Sequence, residues 1–311
     1  MSNHKPCVSI GLPVFNGEKY LEEALDSILA QTYTDFELII SDNASTDRTQ
    51  QICRAYATKD SRIRYCRNGK NLGASKNFNR VFELASGEYF KWAAHDDVLA
   101  PKFLQKCVSV LNQDPSIVLC HSKTGRIDEH GANGGTYDFE SAPINSQKPH
   151  ERFGYLIRER PPTWLLLSGV IQASVLTRTS LFGNYIGSDR NLLAEIGLID
   201  QIYVIPEYLF FRRAHPQTYT ESVDSSYQER LAWWTTTKRV NFPFFRKYIE
   251  YFKSVRRIPM KWSERQLCYA QVCRWFIREG LFLICTNVGL NLINLTSLGR
   301  KFLHARARAI K

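Results

Sequence analysis

Asp96 and Asp97 stand side by side in FKWAAHDDVLA, directly after an apolar run, and this pairing is the sharpest chemical signal in the chain. Adjacent carboxylates repel, so keeping both ionised costs free energy unless a cation or separate solvation compensates. A hard divalent ion, Mn2+ or Mg2+, does so while holding water and phosphate oxygens in the rest of its shell, which suits a nucleotide diphosphate. The plainer alternative is that Asp97 caps the helix near Pro101. Three more polar clusters follow apolar runs: Pro13-Val14-Phe15-Asn16, Asp42-Asn43, and Asn68 to Gly73. Any one of them suits an ordinary turn. Further on, His215 follows Arg212 and Arg213. Imidazole can complete a metal shell and guanidinium can neutralise diphosphate, although a polar turn before Pro216 would look the same.

These clusters matter only if the fold brings them together. Val8 to Leu12, Phe36 to Ser41, Ile63 to Cys66, Tyr89 to Ala93 and Ile117 to His121 read as short strands. Amphipathic runs separate them: Glu18 to Ala30, a stretch capped by Ser45 or Thr46 and running through Tyr56, Ala74 to Leu84, and Pro101 to Leu111. That rhythm predicts an α/β fold, a doubly wound and mostly parallel Rossmann-like sheet with flanking helices. In such a sheet ligands bind outside the carboxyl ends of the strands, where all four polar clusters fall.

Ser122 to His150 is rich in Gly, Asn, Ser and Asp and reads as a long irregular excursion. Ile171 to Val175 and Ile202 to Arg213 read as β, with a short helix at Asn191 to Ile199 between them. Beyond about residue 220 the chain becomes helical and aromatic, so residues 1–220 are expected to form the nucleotide-binding domain and 221–311 a helical C-terminal region. Trp164 and these later aromatics are expected in the core rather than stacked on a sugar.

With 311 residues, 44% of them hydrophobic, the chain can bury a sizeable core. Its net charge of +11 calls for an anionic partner without choosing among nucleotides, phospholipid and nucleic acid. Five of the last twelve residues, Arg300 to Lys311, are basic, which favours a surface-binding tail on an anionic membrane. Leu281 to Leu295 is apolar but interrupted by Asn287, Asn291 and Asn294, and is shorter than the roughly 20 residues a spanning helix requires. Eight cysteines without a CxxC pair, and no signal peptide, point to the cytoplasm, peripheral to the cytoplasmic face of a membrane. The sequence shows no nucleic-acid recognition motif, and none is expected as a partner.

Pro13 to Asp47 (PVFNGEKYLEEALDSILAQTYTDFELIISDNASTD), Asn71 to Asn79 (NLGASKNFN) and His95 to Asp97 (HDD) together resemble glycosyltransferase family 2, the inverting family with the GT-A fold. Gly187 to Ile196 (GSDRNLLAEI) and Arg212 to Thr218 (RRAHPQT) look like the acceptor-side portion of the same family. The resemblance implies a GT-A nucleotide-sugar domain in which Pro13, Phe15 and Asn16 lie along the nucleoside and Asp42 accepts a hydrogen bond from the base. Asn71 and Lys76 would also serve the nucleotide, Asp96 the ribose or sugar, and Asp97 the metal, with His215 as a further metal ligand. Two departures stand out: His95 replaces an acid, and Lys76 stands where arginine is common.

Asp189 matches the family's usual base position, although Ser188-Asp189 before a helix also suits an N-cap. The implied reaction transfers a sugar, uridine diphosphate being the expected carrier, to a hydroxyl of a glycan or lipid-linked acceptor. Two rivals are weighed against it: a nucleotide-sugar-binding protein without transfer activity, and a basic nucleic-acid-binding protein. A sugar nucleotidyltransferase would need a glycine-rich basic loop where Pro13-Val14-Phe15-Asn16 stands.

Overall fold

The computed structural model describes residues 5–139, 141–158, 162–215 and 243–280. Nine strands form one mixed sheet: β1 (Val8–Val14), β2 (Phe36–Asp42), β3 (Ile63–Arg67), β4 (Tyr89–Trp92), β5 (Val98–Leu99), β6 (Ile117–Ile127), β7 (Asn133–Tyr137), β8 (Val170–Gln172) and β9 (Gln201–Arg213). Their order is β3-β2-β1-β4-β8-β6-β9-β5, with β7 paired to β6. The strands β3, β2, β1 and β4 are parallel, β8 is antiparallel to both neighbours, and β9 runs parallel to β6.

The helices are α1 (Leu21–Leu29), α2 (Thr49–Lys59), α3 (Ala74–Glu83), α4 (Phe103–Gln113), α5 (Pro149–Leu156), α6 (Ala173–Leu176), α7 (Ser188–Ile199), α8 (Pro243–Arg257) and α9 (Trp262–Trp275). Every residue of β1 is buried, as expected of a central parallel strand covered on both faces. Leu21, Ala24, Leu25 and Ile28 form the buried stripe of α1, three and four residues apart.

Two expectations need correction. The excursion after His121 begins and continues with strand, because β6 runs on to Ile127 between β9 and the hairpin partner β7, and only then becomes irregular. Ile171 to Val175 is strand only to Gln172; after that Ala173–Leu176 turns into α6. The expected boundary at residue 220 and the aromatics Tyr227, Trp233 and Trp234 lie outside the described residues, as do Leu281 to Leu295 and the basic tail. No helix among the described residues is long and apolar enough to cross a membrane.

Beneath the HDD segment, Lys91 on β4 is fully buried, its ammonium donating to the carbonyls of Trp92 (3.2 Å) and Ser168. Its Nζ also lies over the rings of Phe103 and Phe210. His121 packs against the same two rings, 5.8 and 5.1 Å away, with its Nδ1 paired to the Ser122 carbonyl. Burial first, then the Lys91 charge, holds the His121 imidazole down at about 3, against its ordinary 6.5.

The folded protein therefore binds fewer protons than the unfolded chain across that interval. The stabilising contribution is complete above pH 6.5 and is lost as pH falls toward about 3. His121→Phe is expected to raise the thermal midpoint at about pH 5 relative to wild type by more than at about pH 8, by roughly 4 °C or more. Equal shifts at both pH values would show that His121 does not set the acid limb.

Candidate functional site

The carboxyl ends of β1 and β2 carry two loops that are stitched together. Asn16, in a left-handed conformation with φ 51°, donates its N–H to Ser45 Oγ (2.9 Å) and accepts from the Thr46 N–H (2.9 Å). The Gly17 N–H donates to Thr49 Oγ1 at 2.9 Å. Pro13 is the penultimate residue of β1, and Phe15 next to the loop is 44% exposed, a large ring left open at the sheet edge.

Asp42 ends β2 with a fully buried carboxylate. Its Oδ1 accepts from the Ser45 N–H (2.8 Å), and its Oδ2 accepts from the Tyr65 hydroxyl (2.7 Å) and Arg67 Nε (3.2 Å). Both oxygens thereby hold the loop at the carboxyl end of β2. Tyr65 and Arg67, two apart on β3 and so on one face, are the residues that sequence reasoning missed. Arg67 also donates to the Ser45 carbonyl at 2.7 Å and keeps its side chain 38% exposed.

A buried amide network anchors the Asn68 to Gly73 loop. Asn43 donates to Asn71 Oδ1 (2.9 Å) and accepts from Asn68 Nδ2 (3.1 Å) and the Leu72 N–H (2.9 Å). Asn77 in turn accepts from Ser41 Oγ (2.7 Å) and Asn68 Nδ2 (2.9 Å). Asn71 thus fixes the loop, with its Oδ1 also taking the Gly73 N–H. Lys76 is exposed on the first turn of α3.

The HDD segment leaves β4 beside these loops, close enough that a Cβ built on Gly17 would sit 2.8 Å from His95 Cδ2. Asp96 Oδ2 pairs with His215 Nε2 at 3.0 Å, and the His215 ring lies 4.8 Å from that of Tyr20. Burial raises the Asp96 carboxyl, but the imidazoles of His95 and His215 outweigh it and leave it below the usual range. Asp97 Oδ1 accepts the Arg213 backbone N–H at 3.1 Å. Burial, and after it the neighbouring Asp96 charge, pushes Asp97 up to about 7. An anion so disfavoured gains more than an ordinary carboxylate does when a cation arrives.

The arginines and His215 each contact other groups of the protein. Arg213, 1% exposed, donates Nε to the Asp96 carbonyl (3.0 Å) and Nη1 to the Asp128 carbonyl (3.1 Å), and it pairs with Glu23 at 2.5 Å. Arg212, 5% exposed, donates to the Tyr137 hydroxyl (2.7 Å) and lies over the Trp164 ring at 4.8 Å. Both side chains are tied into the protein, and Trp164 is a packing partner as expected. His215 Nε2 is committed to Asp96 and orients that carboxylate.

Replacing Arg213 with Gln removes its ties to the Asp96 and Asp128 carbonyls and to the half-exposed Glu23 together. A loss of roughly 2–4 kcal/mol in urea denaturation is expected, with weaker nucleotide binding. Unchanged stability would mean these contacts do not hold the HDD segment.

Asp189 lies in the first turn of α7, whose N-cap is Gly187 (φ +87°), so the N-cap alternative does not hold. At 187 a Cβ would fall 2.2 Å from Lys247 Cε on α8, so both space and φ call for glycine there. α7 ends at Ile199, just before β9 begins at Gln201. Phe182, shortly before it, packs on Trp92 at the end of β4, 5.0 Å between rings. Further along α7, fully buried Glu195 accepts from Ser254 Oγ (2.7 Å), Arg257 Nη1 and the Ser180 N–H (2.6 Å), which bolts α7 to α8.

This arrangement has known counterparts. The sequence model of glycosyl transferase family 2 matches residues 9–181, and the chain belongs to that family. A glycosyltransferase of Rickettsia typhi is 28% identical over 246 residues, 75% of this chain and 72% of its own. Glycosyltransferase GlyG of Streptococcus pneumoniae is 32% identical over 113 residues, 36% of this chain and 38% of its own. Among solved structures, S. aureus TarS in complex with UDP-GlcNAc superposes with a TM-score of 0.61 at 17% identity, covering 88% of this chain and 73% of that one. The mannosyltransferase PcManGT of Pyrobaculum calidifontis, in complex with GDP-Man and Mn2+, gives a TM-score of 0.54 at 17% identity, covering 99% and 81%. The fold is GT-A with a helical C-terminal region, and the protein is a glycosyltransferase.

Proposed function

We propose that this enzyme transfers a sugar, with inversion, from a nucleotide-sugar donor to a hydroxyl of a glycan or lipid-linked acceptor. Uridine diphosphate is the preferred carrier, and the enzyme works at the cytoplasmic face of an anionic membrane. The observation that carries this reading is the Asp96-Asp97 pair at the sheet edge, with Asp97 raised by burial and by its neighbour. The UDP-GlcNAc complex of TarS and the GDP-Man and Mn2+ complex of PcManGT support a nucleotide-sugar and a metal on this fold.

Among the described residues no three His, Cys, Asp or Glu side chains gather into a metal cage. That suits Mn2+ or Mg2+ held by Asp97 and completed by diphosphate oxygens and water. Bound there, the ion would neutralise charge on the departing nucleoside diphosphate. Asp96, oriented by His215, would face the ribose or sugar. Pro13, Phe15 and Asn16 would lie along the nucleoside, Asp42 would accept a hydrogen bond from its base, and Asn71 and Lys76 would also serve the nucleotide.

Asp189 would take the acceptor hydroxyl proton as the acceptor oxygen attacks the anomeric carbon. The bond from that carbon to the diphosphate oxygen then breaks, and its electron pair leaves with the diphosphate. The test is to screen UDP- and GDP-sugars with the purified enzyme and read the anomeric configuration of the product by NMR. Inversion supports a single displacement with Asp189 as base; retention would contradict it.

A further inference from the structure

The six large hydrophobic residues left exposed among the described residues are unevenly placed: Phe245, Trp262, Leu267 and Ile277 all belong to the last 38 described residues. Cys268, Val272 and Trp275 are the buried side of α9. The opposite, outward arc carries Trp262 (71% exposed, against the core position expected of it), Leu267 (44%), Ala270 and, in the turn that follows, Ile277 (68%), interspersed with Ser263, Gln266 and Arg274. A helix on the surface of a soluble protein carries polar residues on that side. Arg274, within that arc, and Arg278 in the following turn are both exposed. The Tyr248 and Phe276 rings meet at 4.4 Å, which brings the start of α8, with Phe245, beside the end that carries Ile277.

Charge is segregated onto the same part of the chain. Residues 243–311 hold 14 Lys and Arg against 3 acidic residues, which accounts for the whole net charge of +11. Residues 1–242 balance at 27 of each sign, and no acidic residue follows Glu279. A nucleotide pocket would not need this distribution, since the donor-side loops lie within the electrically neutral part. Large apolar side chains interspersed with arginines, followed by an uncharged stretch and then the basic residues from Arg300 on, fit a surface that is apolar beneath and anionic on top.

We propose that the outward face of α9, with Trp262, Leu267 and Ile277 as its apolar contacts and Arg274 and Arg278 as its cationic contacts, docks on an anionic lipid bilayer. The buried contacts of Glu195 with Ser254 and Arg257 join α8, the partner of α9, to the helix that carries Asp189. Docking therefore holds Asp189 at a fixed height above the bilayer, which suits a lipid-linked acceptor. That last step rests on the proposed role of Asp189, whereas the docking does not.

The test is flotation of the full chain with vesicles of phosphatidylcholine alone and of phosphatidylcholine mixed with phosphatidylglycerol. Wild type, the double variant L267D/I277D and the double variant R274Q/R278Q are compared, with thermal midpoint and UDP binding confirming that each is folded. Wild type is expected to float only with the mixed vesicles. L267D/I277D should lose at least about tenfold in partitioning and R274Q/R278Q roughly as much, while UDP binding is retained. The proposal is overturned if wild type stays with neither vesicle, or if both variants float as wild type does. It is equally overturned if the aspartate variant instead converts a solution dimer to monomer without changing flotation, which would assign the face to a second copy of the chain.

Discussion

Asp97→Asn is expected to reduce kcat/KM for sugar transfer by at least about a hundredfold, corresponding to roughly 2.7 kcal/mol of lost transition-state stabilisation. The substitution is nearly isosteric, and the amide oxygen can still accept the Arg213 backbone N–H that Asp97 Oδ1 takes at 3.1 Å. The loop therefore keeps its anchor while the charge disappears. Relief of the repulsion from Asp96 should leave the variant at least as stable as wild type, because burial and Asp96 are what push Asp97 up to about 7. Lost activity with preserved or increased thermal stability is the signature of a charge kept for function. Lost activity accompanied by a lower midpoint would instead make Asp97 a structural residue.

Asp189→Asn is expected to slow transfer by about 10²–10⁴-fold, the range for removing a positioned general base, while leaving donor affinity within about twofold. Asp189 is only partly buried, in the first turn of α7, so the fold loses little more than an interaction of roughly 0.3–1 kcal/mol with the helix dipole. Steady-state kinetics together with UDP titration separate the two effects. Transfer at near wild-type rates would move the base elsewhere, and loss of UDP binding would place Asp189 on the donor side.

The βα rhythm was legible because it is local. Buried strands such as Val8–Val14 and Phe36–Asp42 are continuous apolar runs, and the stripe of α1 recurs at helical spacing within a few residues. The gathering of polar clusters at one sheet edge follows from that rhythm alone. The partners of those clusters were not legible, because strand register decides them. Asp42 looks like any exposed loop acid until β2 and β3 pair Asp42 with Arg67 and Ile40 with Tyr65.

Arg213 shows the same limit from the other side. Its sequence neighbours suggested a cation offered to diphosphate, yet β9 turns it inward against carbonyls from segments 85 and 117 residues away. The extension of β6 beyond His121 was hidden by glycine and serine in a strand that is held by β9 and β7 rather than by its own propensity. What the sequence concealed is therefore mostly what supports the site rather than the acids that face a ligand.

The central claim is that a divalent ion at Asp97 joins this protein to a nucleotide diphosphate. Calorimetric titration of UDP into the full chain, with and without Mn2+ and repeated on Asp97→Ala, tests it most directly. The account predicts binding that requires Mn2+ in the wild type and disappears in the variant. UDP binding that is equally tight without metal, or unchanged in Asp97→Ala, would contradict it.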